Sequence, residues 1–483
     1  MMNLIQLLRC AAVVVIFQSV VTAGEKPNII VIFTDDQGYA DLGCQDSLKD
    51  LKTPHIDQLA QDGVRCTSGY ITAPQCIPSR AGLLSGRDQN RFGLDANGII
   101  PMPLDEFLIP QRLQKAGYVT GMVGKWHLDP NHGSKEWIRK HLPDAEPKGK
   151  GGRVSIPHKL ARPYFPDMRG FTDVFCGHTQ SYWANFDLDG KDVKPAKQLR
   201  KKGYRLDIQT DAALSFIDRN AKKPFFLYLP YFAPHVPLDA TEKYLKRFPG
   251  KMPERRRIAL AMMAAIDDGV GRIRDRLADH KLTENTLIFF ISDNGAPLKA
   301  DMKDLPLSYK KGAWNGSRND PWVGEKGMLT EGGIRVPFIV TWPGRLPTGK
   351  IYKHPVSSLD VGATAVELAG LSKDSKLDGM NLIPHLTDKV KAPPHKKLFW
   401  RFWRQAAVRE GKWKYYQAGD RKYLFDLSSP EHEKVNLIKK HPEMAAELEA
   451  SLQSWAKTLK NPGLPTGELN DAELKWVDHF LPK

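Results

Sequence analysis

Five cysteines in 483 residues are too few for disulfides to organise the chain. They stand at Cys10, Cys44, Cys66, Cys76 and Cys176, and no Cys or His set has the spacing of a zinc site. Internal repeats are missing, as are helix-turn-helix, zinc-finger and RNP patterns. The formal net charge of +16 calls for a polyanionic partner, and these absences together with export argue against nucleic acid. Apolar runs of spanning length are lacking too. The longest, residues 11–21, follows a segment with one positive charge and leads into Val21-Thr22-Ala23. This reads as a signal peptide over residues 1–23, cleaved after Ala23, and not as a stable membrane anchor. An exported chain poor in cysteine suits a periplasmic or extracellular enzyme better than a disulfide-rich secreted domain.

What is present is length enough for a large domain and a smaller one. Residues 28–34 are a continuous apolar run with β-branched side chains, ending at Asp35-Asp36, the pattern of a parallel strand buried on both faces. Similar runs at 118–123, 224–231, 286–292 and 336–341 alternate with helical patterns at 55–61, 205–219 and 258–277. The expectation is an α/β fold over residues 24–391, with a large, mostly parallel sheet sandwiched by helices. After residue 391 the runs become short and aromatic-rich, at 398–404, 407–409, 412–416 and 422–426. They predict a smaller antiparallel sheet with an amphipathic helix over 442–459, forming a C-terminal α+β subdomain of residues 392–483. Two aperiodic basic stretches, 131–169 and 191–205, read as long loops, the first placed to wall a site just after His127.

Ligands of parallel sheets bind beyond the carboxyl ends of the strands. Asp35-Asp36, Lys125, His127, His235 and Asp293-Asn294 all stand at or just past such ends. The two acidic pairs offer oxygen ligands, a hard set that favours Ca²⁺ or Mg²⁺. Two segments carry more information: Cys76-Ile77-Pro78-Ser79-Arg80, and Gly117-Tyr118-Val119-Thr120-Gly121-Met122-Val123-Gly124-Lys125-Trp126-His127. Pro78 suits the opening of a helix over 78–84, whose free amides favour an anion.

Together these two segments resemble the type I sulfatases of the alkaline-phosphatase-like superfamily, and the resemblance spans roughly residues 26–433. In that family the Cys of a CxPxR pentapeptide is oxidised to formylglycine. The resemblance therefore implies sulfate-ester hydrolysis through a geminal-diol nucleophile at Cys76 and a covalent sulfo-enzyme intermediate, and a formylglycine-generating enzyme as maturation partner. A serine sulfate would need a second attack on sulfur for its removal, whereas a diol releases sulfate by C–O cleavage. The resemblance also implies Ca²⁺, in preference to Mg²⁺, at Asp35, Asp36, Asp293, Asn294 and the modified Cys76. Arg80 would hold the modified residue and neutralise sulfate, and Lys125 would bridge the diol and sulfate. His127 would help deprotonate the diol. His235 and Lys326, the latter ahead of Glu331-Gly332-Gly333-Ile334-Arg335, would contact the ester oxygen, with His235 favoured as the acid. One departure is Ile77, where the family usually carries a small residue.

The charge then points to a sulfated polysaccharide or its oligosaccharides. Lys148, Lys150 and Arg153 of the first basic stretch are the expected readers of the polymer, with Arg401, Trp403 and Arg404 next. Two other readings share these features: a phosphodiesterase or phosphonate monoester hydrolase of the same superfamily, and a glycan-binding protein with vestigial machinery.

Overall fold

The computed structural model describes residues 26–483 except 148–151, 178, 301, 304, 309–312 and 373. The signal-peptide reading and the side chains of Lys148 and Lys150 lie outside the described residues. Asn28–Asp35 is a strand buried along all its length. Ile29, Val31 and Phe33 enter the apolar layer on one face and Ile30 and Ile32 the layer on the other, as period-two alternation requires. It runs parallel to Phe225–Pro234 on one side and to Thr286–Ser292 on the other. Val119–Gly124 and Asp173–Gly177 continue the parallel set.

Among the described residues the sheet has ten strands, in the order Lys350–Tyr352, Val64–Cys66, Phe338–Thr341, Thr286–Ser292, Asn28–Asp35, Phe225–Pro234, Val119–Gly124, Asp173–Gly177, Ser181–Phe186 and Asp192–Arg200. Helices Pro54–Gln61, Arg205–Asn220 and Glu254–Asp279 bury their apolar sides on one face. Cys76–Ser85, Ile109–Lys115 and Asp360–Leu368 cover the other.

Three expectations are corrected. Phe338–Thr341 is antiparallel to both of its neighbours; an apolar run reports burial, which carries no strand direction. The basic stretch at 191–205 is not a loop, because it contains the edge strand Asp192–Arg200. Its side chains are largely exposed, so no apolar period marks it, and its lysines protect an unpaired sheet edge. The stretch at 131–169 has structure of its own, with helices Lys135–His141 and His158–Ala161 beside a small cluster of Trp137, Ile138 and Tyr164. Arg169 there is buried and donates to the carbonyls of Met102, Pro103 and Glu106.

Beyond the large sheet, Lys397–Phe402, Gln405–Glu410, Trp413–Ala418 and Arg421–Asp426 pair antiparallel in chain order. Helix Pro442–Ala456 packs through Leu448 and Leu452 on Ala406, Val408, Tyr415 and Leu424. Trp400, Phe402 and Tyr416 belong instead to the core shared with the large sheet, so the small sheet is a buttress against it. A further helix, Asp471–Phe480, follows outside the span that periodicity marked. Among the described residues no helix is long and apolar enough to cross a membrane, and Cys44, Cys66, Cys76 and Cys176 are unbridged.

Candidate active site

The parallel strands bring their carboxyl ends to one edge of the sheet, and most of the expected site residues meet there. Asp35 closes its strand; Asp36 follows in the left-handed region at φ 63°. Asp293 and Asn294 follow the neighbouring Thr286–Ser292 directly. Gly124 ends the strand ahead of Lys125 at φ 124°, where a Cβ would lie 2.1 Å from the Pro230 carbonyl oxygen, so only glycine lets the two chains approach. His127 is again left-handed, at φ 61°. Non-glycine residues held this way cluster where side-chain direction matters more than backbone ease. Cys76 is the first residue of the Cys76–Ser85 helix, which starts earlier than the expected residue 78. Pro78 is tolerated inside its first turn because the amides there have no helical partner.

Around Cys76 Sγ, Lys326 Nζ stands at 3.4 Å and Asp35 Oδ1 at 3.6 Å. Lys326 also donates to Asp36 Oδ1 at 2.6 Å, and Lys125 Nζ to Asp35 Oδ2 at 2.6 Å. Arg80 is fully buried. Its Nη2 reaches Asp293 Oδ2 at 2.6 Å and Asp35 Oδ1 at 3.4 Å, while Nη1 donates to the Lys125 carbonyl at 3.2 Å. His235 Nε2 lies 3.7 Å from Asp36 Oδ2, and its Nδ1 is 2.5 Å from the Val236 carbonyl oxygen.

Burial and charge set the protonation states. Burial would raise the Asp35 pKa, but Lys125, His235, Arg80 and Lys326 outweigh it and hold the carboxyl well below its usual range. Asp36 is likewise lowered against burial, chiefly by Lys326 and His235. Asp293 goes the other way: burial and the negative charge of Asp35 push it up to about 7 despite Arg80. Burial pushes the Cys76 thiol up to about 12 even with two ammonium groups near. Burial and the charges of Lys125 and Arg80 leave His127 well below 6.5, hence neutral. Burial also lowers His235, with Asp35 opposing. Burial opposes the charge on Lys326, but Asp36, Cys76, Asp35 and Asp293 together outweigh it and raise its pKa.

The residues present fit a hard cation. Asp35, Asp36, Cys76 and His235 bring one ligand atom each within 4.8 Å of one another. Asp293 Oδ1 accepts from the Asp36 amide at 3.0 Å, and Asn294 Nδ2 donates to Asp36 Oδ1 at 2.6 Å. Asn294 Oδ1 is buried without a partner, an acceptor left for something else. His235, expected only as an acid, thus stands among the possible ligands as well.

Several supporting residues escaped the sequence reading. Tyr228 Oη is 3.5 Å from Arg80 Nη1. Gln405, on the small sheet, donates to the Gly327 carbonyl at 2.9 Å and accepts from Leu329 N at 3.0 Å, fixing the segment that carries Lys326. Lys414 pairs with Glu331 and Glu433, each at 2.9 Å, with all three side chains fully buried. No local pattern marks such residues, because their partners are distant in sequence. Arg401, expected among the substrate readers, is 5% exposed and bound to Asp95 at 2.7 Å, and its role is internal.

The architecture around this edge is that of the alkaline-phosphatase-like hydrolases. It matches the solved structure of Ps i-CgsB in complex with k-i-k-neocarrahexaose with a TM-score of 0.73 at 29% identity, covering 94% of this chain and 98% of that one. Residues 27–371 match the sulfatase family, and residues 322–460 match the C-terminal region of N-sulphoglucosamine sulphohydrolase. The uncharacterized sulfatase YdeN of Escherichia coli K12 is 33% identical over 78% of this chain and 68% of its own length. The N-acetylgalactosamine-6-sulfatase of Canis lupus familiaris is 32% identical over 76% and 68%. The chain belongs to the sulfatase family and is a sulfuric ester hydrolase.

Proposed function

We propose that the enzyme removes sulfate from a glycan, a sulfated polysaccharide or its oligosaccharides, in the periplasm or outside the cell. Residues 1–23 are then its signal peptide, 24–391 its catalytic domain and 392–483 its C-terminal subdomain. Cys76 is converted to formylglycine by a formylglycine-generating enzyme, and Ca²⁺ is held by Asp35, Asp36, Asp293, Asn294 and the modified residue. One observation carries this reading: both signature segments converge on one carboxylate, with Arg80 and Lys125 both on Asp35, and Cys76 Sγ lies 3.6 Å from that carboxylate and 3.4 Å from Lys326 Nζ. A thiol pushed up to about 12 is almost wholly protonated at neutral pH, so the encoded cysteine is a poor nucleophile in this setting. Support for a sugar comes from a relative named for N-acetylgalactosamine 6-sulfate and a neighbour holding a neocarrahexaose.

The modified residue supplies a geminal diol, and Ca²⁺ supplies Lewis acidity toward sulfate oxygens. The chain's own groups do the remainder. Arg80, tied to Asp293 and the Lys125 carbonyl, presents a fixed positive charge that needs no reorganisation as negative charge develops. Lys125 adds a second charge. His127, neutral and with a buried Nδ1 that lacks a partner, is suited to accept a proton. Lys326 is held ionised by Asp36 and gives up its proton poorly, leaving His235 as donor to the departing alcohol. A bound anion raises the His235 pKa from its depressed value and so loads it with the proton it must give.

The test pairs chemistry with mass. Active protein should hydrolyse 4-nitrophenyl sulfate faster than 4-nitrophenyl phosphate, and its Cys76 peptide should be hydrazide-reactive and lighter than the cysteine form. Preference for the phosphate ester would favour the phosphorus-directed relatives. Full activity with Cys76 unmodified would refute the nucleophile.

A further inference from the structure

We infer that Trp403 and Trp476 form a sugar-stacking subsite beside the reaction centre, one that takes the apolar C–H face of a pyranose next to the sulfated residue. The inference rests on the glycan reading above and adds the place where the rest of the chain is gripped.

Trp403 occupies the two-residue turn between strands Lys397–Phe402 and Gln405–Glu410. It is 39% exposed and held at φ 47°. Tight hairpin turns fill such positions with Asn, Asp or Gly, because a side chain with positive φ is strained, and a bulky aromatic there is an outlier. Strain of this kind persists where a side chain is wanted for another purpose. Trp476 comes from the Asp471–Phe480 helix, and its ring plane lies within 10° of that of Trp403, with centroids 6.1 Å apart. The near-parallel indoles make a stepped apolar surface. A pyranose presents polarised C–H bonds on one face, which such π surfaces attract while the contact removes apolar area from water.

The platform is next to the chemistry. Gly327, at φ +98°, has no side chain where Trp476 packs: a Cβ there would lie 2.4 Å from Trp476 Cη2. Gly327 follows Lys326, whose Nζ is 3.4 Å from Cys76 Sγ. The aromatic surface therefore abuts the backbone segment that carries Lys326, whose side chain reaches the reacting atom. It is also rigidly mounted. Glu473, fully buried, accepts from Arg404 N at 2.9 Å and Gln405 Nε2 at 3.3 Å, and Gln405 in turn binds the Gly327 carbonyl. Both tryptophans and the Lys326 segment thus share one hydrogen-bonded frame. The exposed Arg404 beside Trp403 adds positive charge for a sulfated neighbour. Because the Asp471–Phe480 helix lies beyond residue 460, outside both matched family regions, this subsite would distinguish the chain from relatives that share only its centre.

The experiment compares 4-nitrophenyl sulfate with sulfated hexasaccharides from carrageenan and from chondroitin sulfate, using whichever hexasaccharide is turned over faster. Trp403→Ala should raise its KM about tenfold with kcat nearly constant, and leave the aryl ester unaffected. Trp403→Phe, which keeps a π face, should recover most of the loss. Trp403→Gly should lose the same affinity with a Tm no lower than wild type, since glycine relieves the turn. In the inactive Cys76→Ala protein the hexasaccharide should quench tryptophan fluorescence, and Trp403→Ala should remove most of that change. An unchanged hexasaccharide KM in stably folded Trp403→Ala overturns the subsite alone. Absence of any glycan desulfation, with aryl sulfate still cleaved, overturns the glycan reading and the subsite with it.

Discussion

Arg80 has almost no freedom: two carboxylates and a carbonyl hold it, and the Phe33 ring lies 5.5 Å from its guanidinium carbon. A lysine ammonium is a single point and cannot span Asp293 and the Lys125 carbonyl together. Arg80→Lys should therefore lower kcat/KM on 4-nitrophenyl sulfate about a hundredfold or more, in line with loss of a fixed charge facing the transition state. For the metal, prolonged chelation should inactivate the enzyme; Ca²⁺ should restore wild type but not Asp293→Ala at ordinary concentrations, as activity assays after dialysis would show. A third residue bears on stability. Burial works against a charge on His395, but Asp360 at 2.7 Å outweighs it and raises the imidazole pKa. The folded chain then binds this proton more tightly, so the stabilisation is complete below the unfolded value of about 6.5 and fades as pH rises through the folded one. Urea midpoints taken above about pH 6.5 should fall with pH more steeply in wild type than in His395→Gln. Cys76, Arg80, Lys125 and His127 were legible because they lie in compact segments. Gln405, Tyr228 and Glu433 were not, because what they do depends on a partner brought from far along the chain.

Between elements, the decisive join is the buried cluster of Lys414, Glu331 and Glu433. It clamps the short Glu331–Ile334 helix, just downstream of Lys326, to the small sheet. Tyr70 donates to Glu331 at 2.6 Å and Arg335 at 3.1 Å; burial would raise the Glu331 pKa, but the charges of Lys414, Arg335 and Arg409, with the Tyr70 hydrogen bond, together hold it down to about 2. Burial pushes Glu433 up to about 7 against the pull of Lys414. Lys414→Met should cost about 3–5 kcal/mol in urea unfolding, because it strands buried carboxylates. Adding Glu433→Gln should recover part of that, a non-additive result that independent sites would not give. At this scale the continuous apolar strands are legible in the sequence, because their composition forces burial. Asp192–Arg200 is not, because it lies on the rim and its exposed side chains obey solubility and not periodicity.

For the whole molecule, a formal charge of +16 should be felt at a distance by a polyanion. Raising salt should increase KM for a sulfated oligosaccharide with kcat little changed, because exposed attractions are screened over about 8 Å at physiological ionic strength. Turnover of a small aryl sulfate, governed by buried charges, should respond far less. Neutralising Lys148, Lys150 and Arg153 together should flatten the oligosaccharide's salt dependence; an unchanged slope would make that stretch solvated surface only. The central position of Asn28–Asp35 has a consequence in time. The strand is made before both of its neighbours, Phe225–Pro234 and Thr286–Ser292, so the sheet closes around it only after residue 292 has emerged. Until then Cys76, 1% exposed once folding is complete, is open to another enzyme. On the proposed conversion of Cys76, maturation would be a race between its oxidation and a long-range strand pairing. Protein already folded with an intact Cys76 should resist conversion by the maturation enzyme, whereas the same chain held unfolded should accept it.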